Sequence, residues 1–247
     1  MTICKNCGSE LTGKYCSNCS QKADIHRFTL KHFIHEFVHT FTHVDKGILY
    51  LIKEMFLRPG IVTREYLEGK RKKYFNPFQY LVLGIAVSFF LTVKLGVIGF
   101  RTVSPDVLAG FSQQQLFFLQ FNNFIYTYFN IIIFSGIPLM AFFSWIFYRK
   151  SGYNFTENLV FQTFIGAQRN LIYILLMPFL YILKDRWIWG IGTYYVIFIL
   201  YYGLAYMQFY PGNKILNLVK YILSFAVSLI IIQFSYMAFF YFFLFKP

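Results

Sequence analysis

From Phe78 onward the chain is almost continuously apolar, and this limits its fold more than any other feature. Hydrocarbon offers no water to the backbone, so each crossing segment must satisfy its own hydrogen bonds as a helix. Apolar stretches of about 20 residues define spans, and five are expected here: 78–100, 124–148, 159–183, 187–209 and 218–245. Composition agrees, because charged residues make up only 13 % of the chain, against roughly 25 % in a soluble domain. Gly136 and Pro138 predict a kink in the second span. Only Lys184, Asp185 and Arg186 join the third and fourth, which forces an antiparallel hairpin. The first span starts too deep in the chain to be a cleavable signal peptide.

The opposite end carries all four cysteines: Cys4, Cys7, Cys16 and Cys19, spaced CxxC, eight residues, CxxC. Two close pairs of thiolates at this spacing enclose one tetrahedral zinc, and four thiolates leave no open position for catalysis. The expected cofactor is therefore a structural zinc that folds about twenty residues having no core of their own. Lys5-Asn6 and Ser17-Asn18 supply the turns inside the two knuckles. Gly8 follows the first knuckle and allows a left-handed backbone; Ser20, at the matching place in the second, is less suited to it. Two disulfides could use the same residues, but not in a reducing cytosol.

Basic residues place this end in the cytosol. Lys70, Arg71, Lys72 and Lys73 precede the first span, and with five spans Arg149, Lys150, Lys214 and Lys220 fall on the same side. The other side holds Arg101, Lys184, Arg186 and Lys246, so the excess points inward. The net charge of +13 thus reads as a topology and lipid signal. Nucleic acid is not an expected partner, because no basic-aromatic RNA motif accompanies the charge.

Between ribbon and membrane, Leu30, Phe33, Ile34, Phe37, Val38 and Phe41 recur at helical spacing. His32, His35, His39 and His43 share the opposite face. Residues 35–39 read HExxH, in which His35 and His39 could bind a metal and Glu36 could activate its water. His43 lies two turns from His35, too far to complete that site, although His35, His39 and His43 remain a possible second metal set. A downstream ligand could come from Glu54, Glu65 or Glu68, but no second motif selects one. A polar helix face that happens to use histidine explains the pattern more simply.

A second apolar stripe, Ile48, Leu49, Leu51, Ile52, Met55 and Phe56, ends at Arg58-Pro59-Gly60, and Ile61 to Leu67 begins a third short helix. None is long enough to span. Helices of this kind followed by Lys70–Lys73 suggest a collar on the inner leaflet, touching anionic lipid, packed on the bundle, or both.

These elements carry a resemblance. HEFVHTFTHVDKG and FLRPGIVTREYLEGKRKKYFNPFQYL, behind the CxxC pair, resemble an uncharacterised bacterial membrane family defined by a domain of unknown function. The similarity covers about residues 1–90. It implies a zinc-ribbon segment joined to a variable multi-span region, and it transfers no activity.

Arg169 is the unusual residue within the spans. It sits near the middle of the third, and no Asp or Glu lies inside any span to neutralise it. Its partners are expected among carbonyls, water, Asn130, Gln233, tyrosines or an anionic ligand. Lys94, nearer a span end, can snorkel.

The sequence therefore predicts an all-α, five-span membrane protein with a ribbon over 1–24, a collar over 25–77 and a bundle over 78–247. A non-enzymatic adaptor in the bacterial cytoplasmic membrane, its ribbon binding a protein partner, is the leading reading. A transporter or lipid- and anion-handling protein using Arg169, and a metallopeptidase using HExxH, are the alternatives.

Overall fold

A computed structural model describes residues 2–25, 27–31, 33–34, 47–95, 110–183 and 186–245. Among them the chain is helical apart from a two-stranded hairpin, β1 (Thr2–Ile3) and β2 (Glu10–Leu11), paired antiparallel. Eight α-helices follow: α1 (Ile48–Leu57), α2 (Pro59–Glu68), α3 (Pro77–Leu95), α4 (Gln113–Thr127), α5 (Phe129–Phe147), α6 (Phe155–Ile182), α7 (Trp187–Phe209) and α8 (Lys214–Phe243).

Three of these, α3, α6 and α8, are long and apolar enough to cross a membrane. The five expected spans are thus met in part. The second expected span is not one helix: the chain breaks at Tyr128, so residues 124–127 belong to α4, and the shorter apolar stretch Phe134–Phe147 lies in α5. Nothing in the sequence marks this break. Pro138 sits within α5 without ending it; its missing N–H costs one internal hydrogen bond.

α6 is the axis of the bundle, contacting α3, α5 and α7. Its start is well determined. Asn154 caps the first turn, and Glu157 returns a hydrogen bond to the Asn154 N–H at 2.8 Å, a reciprocal cap that fixes where the helix begins. Glu157 is buried and receives a bidentate pair from Arg27, with both N···O distances 2.6 Å. Arg27 also donates to the Gly152 carbonyl, so the linker after the ribbon is held against the base of α6.

The helix stop expected at Arg58-Pro59-Gly60 is narrower in the structure. Arg58 separates α1 from α2, and Pro59 and Gly60 already form the first turn of α2, where proline's fixed φ and absent N–H are tolerated. Leu51 and Met55 of α1 and Val62 and Tyr66 of α2 are buried in the main core, so both helices pack on the bundle. Leu49, at 78 % exposed, and Leu57 face outward. The α2–α7 crossing has no room for a side chain. A Cβ on Gly60 would stand 2.4 Å from both the Ala205 carbonyl oxygen and the Phe209 nitrogen. The Tyr201 hydroxyl donates to the Met55 carbonyl at 2.8 Å beside it.

Aromatic stacking closes the end of the bundle that carries the basic residues. Tyr148 stacks on Tyr210 at 3.6 Å, Phe161 on Phe209 at 4.2 Å, and Tyr153 on Phe209 at 4.4 Å. Inside it Tyr206 is hydrogen-bonded to Ser144 and Gln162, and Tyr210 donates to Asn158, while Gln162 Oε1 is buried without a partner among the described residues.

Candidate metal centre

The four cysteines converge as their spacing predicts. Their sulfurs all lie within 4.8 Å of one another, with Cys4 to Cys19 at 3.6 Å and Cys7 to Cys16 at 3.5 Å. A tetrahedron with Zn–S bonds of about 2.3 Å has edges of about 3.8 Å. A disulfide needs about 2.0 Å, and all four cysteines are free. The donor set therefore fits one tetrahedral, thiophilic metal ion.

Each knuckle is built the same way. Gly8 N–H donates to the Cys4 carbonyl and Ser20 N–H to the Cys16 carbonyl, both at 2.9 Å. Both closing residues are left-handed, Gly8 at φ 78° and Ser20 at φ 57°. Serine carries a Cβ into that region at a cost of roughly 1 kcal/mol. Ser20→Gly should therefore stabilise the ribbon by about 1 kcal/mol, read as tighter zinc retention in a chelator titration; unchanged retention would show that the turn is unstrained. Beside the site, the Ser9 hydroxyl and N–H hold the Cys7 thiol down to about 6, which favours the thiolate that a metal needs. Burial and the neighbouring sulfurs push Cys19 up to about 11.

The ribbon is docked, which its sequence did not reveal. Gln21 is buried, and its amide donates to the Gly69 carbonyl at 2.7 Å. Its Oε1 accepts from the Arg71 and Lys72 N–H groups at 3.1 and 3.2 Å. Asn6, inside the first knuckle, accepts from the Lys73 N–H at 3.0 Å. Gly69, left-handed at φ 116°, ends α2 close against Lys5 and Ile25. The basic loop is thus hydrogen-bonded to the ribbon through Gly69, Arg71, Lys72 and Lys73.

Its side chains are also engaged. Lys73 and Lys70 reach Glu65 at 2.7 and 3.3 Å, and the Arg71 guanidinium lies 4.1 Å over the Phe28 ring. Burial works to raise the Glu65 carboxyl, but the hydrogen bonds from Lys73, Tyr74 and Lys70 outweigh it and hold the group at about 2. Lys72 is exposed. The expected basic face is in this way partly neutralised within the fold.

Of the other candidates, His32, His35, Glu36, His39 and His43 lie outside the described residues. Glu54 and Glu65 are taken up in ion pairs with Arg58 and with the loop lysines. The segment around Arg169 packs beside the first half of α3. A Cβ on Gly84 of α3 would lie 3.3 Å from the Asn170 Cβ, and Tyr80 donates to Gln168. Gly84 is seven residues past Pro77, or about 10 Å of helix. The reason is that α6 begins below α3, among α1, α2 and the linker. The guanidinium stacks 5.7 Å over Phe198, while its Nε and one Nη are buried without a hydrogen-bond partner among the described residues.

Residues 45–89 match the family described as protein of unknown function (DUF3667). This is narrower than the resemblance over 1–90, since it leaves out the ribbon and HExxH. It covers α1, α2, the basic loop and the start of α3, the surface on which the ribbon sits. No curated protein and no solved structure matches the chain.

Proposed function

We propose that the chain is a non-enzymatic adaptor of the bacterial cytoplasmic membrane, in which a structural zinc ribbon is clamped to the membrane-proximal basic loop and displayed to a protein partner in the cytosol. The observation that carries this reading is Gln21, whose buried side chain spends its hydrogen bonds on the backbone of residues 69–72. A ribbon held this way is rigid with respect to the bundle. Its outer surface keeps Ile3 and Tyr15 exposed at 62 % and 63 %, apolar groups suited to a partner. Five crossings, α3 and α5 to α8, fit the geometry. α5 and α7 have 19 and 23 residues, or about 28 and 34 Å, near the thickness of the hydrocarbon layer. Lys70–Lys73, Arg149, Lys150, Lys214 and Lys220 then gather at the cytosolic end. Outward Leu49 and Leu57, with Lys53 and Lys72, would touch anionic lipid of the inner leaflet.

A photo-crosslinking residue at Tyr15 should capture the same protein in repeated cell preparations, and Ile3→Asp should abolish the adduct. Trypsin should reach Lys14 or Lys22 in chelator-treated inverted vesicles and not in intact spheroplasts. Capture no greater than from a crosslinker at Lys53, or cleavage in spheroplasts, contradicts the proposal.

A further inference from the structure

Arg169 opens into a cavity of about 620 Å³ between α4, α5, α6, α7 and α8. The lining is apolar except for the guanidinium, Gln233 and three tyrosines, and it contains no carboxylate. Arg169 is half-buried, and its Nε and one Nη, enclosed by the fold, have no hydrogen-bond partner among the described residues; leaving charged donors so is costly, and the site favours an anion. The cavity also has a direction. Arg169 and Phe198 stand midway along α6 and α7, whereas Ile125, Ile132 and Phe234 line the part farther from the basic end. Along α8 the lining runs from Phe225 to Tyr236, about 16 Å of helix. Tyr195, Ile199, Ile230 and Phe234 on its rim are exposed on the flank of the bundle, which in a bilayer faces lipid tails.

We propose that this cavity binds one anionic membrane lipid, its phosphate or carboxylate on Arg169 and an acyl chain along the apolar part beside α8. The polarity matches a lipid of the leaflet at the basic end: head about 10 Å in from the start of α3, tail pointing away. A soluble anion would satisfy Arg169 but leave the apolar part unused. The proposal does not depend on the ribbon binding a partner, since no residue of the ribbon or of the basic loop lines the cavity.

The test is native mass spectrometry in mild detergent, adding phosphatidylglycerol, phosphatidylethanolamine or inorganic phosphate to delipidated protein. Wild type should retain one phosphatidylglycerol in preference to phosphatidylethanolamine. Arg169→Gln should weaken that retention by at least about tenfold, the loss expected for hydrogen bonds to a charged group. Ile230→Trp, which narrows the rim and leaves Arg169 in place, should weaken it too and separates loss of binding from loss of fold. Equal adducts in wild type and Arg169→Gln, or unimpaired binding in Ile230→Trp, would overturn the proposal. Displacement of the lipid by millimolar phosphate would instead assign the site to a free anion and overturn it as well.

Discussion

Cys16→Ser should reduce the bound zinc from one per chain to none and expose Lys14 and Lys22 to trypsin while the membrane helices stay folded. The magnitude is large because the ribbon has almost no core: Cys4 and Cys16 are the buried hydrophobic residues it contributes, and its one sheet is a pair of two-residue strands. Structural zinc contributes on the order of 10 kcal/mol to such a segment, far more than two short strands can supply. The damage should not stop at residue 24. With the ribbon unfolded, Gln21 and Asn6 no longer cap the N–H groups of Arg71, Lys72 and Lys73, so proteolysis should extend into the basic loop. Zinc retained at full stoichiometry, or a trypsin pattern unchanged from wild type, would count against a metal-built fold.

The second large effect is expected at Gly60. In an isolated helix alanine is favoured over glycine by about 1 kcal/mol, and a Gly60→Ala change would stabilise α2 if propensity decided the outcome. Here the added carbon meets two backbone atoms of one turn of α7 at 2.4 Å, and backbone cannot turn aside as a side chain can. The helices must separate, breaking the Tyr201 bond to Met55 and loosening Val62 and Tyr66. Overpacking of this kind costs roughly 1–3 kcal/mol or more, so Gly60→Ala should lower the melting temperature of the detergent-solubilised protein by several degrees. Gly13→Ala, with open space around the added carbon, should not. Equal melting temperatures for both variants would mean that the crossing is looser than described.

The sequence disclosed what is encoded locally. The CxxC pairs, the hairpin between α6 and α7 and the bounds of α7 follow from spacing and hydropathy alone. The dock of the ribbon was not legible, because Gln21 is a neutral residue in a turn and only the fold places Gly69 against it. Gly60 read as a helix stop beside Pro59, whereas its role is to let α7 approach. The break at Tyr128 falls between Thr127 and Asn130 in a stretch that still averages apolar, and hydropathy over a whole span does not register it. Arg169 was recognised as unusual, but its depth depends on how far α6 extends below α3, which is a property of packing.

If a metal-built ribbon orders the basic loop on which it sits, withdrawing the metal must loosen that loop. Hydrogen exchange of the full chain in lipid nanodiscs, before and after zinc is withdrawn by a chelator, tests it most directly. The amides of Arg71, Lys72 and Lys73 should lose protection together with the ribbon, while α6 and α8 keep theirs. Loss confined to the ribbon, with the loop amides as protected as before, would contradict it.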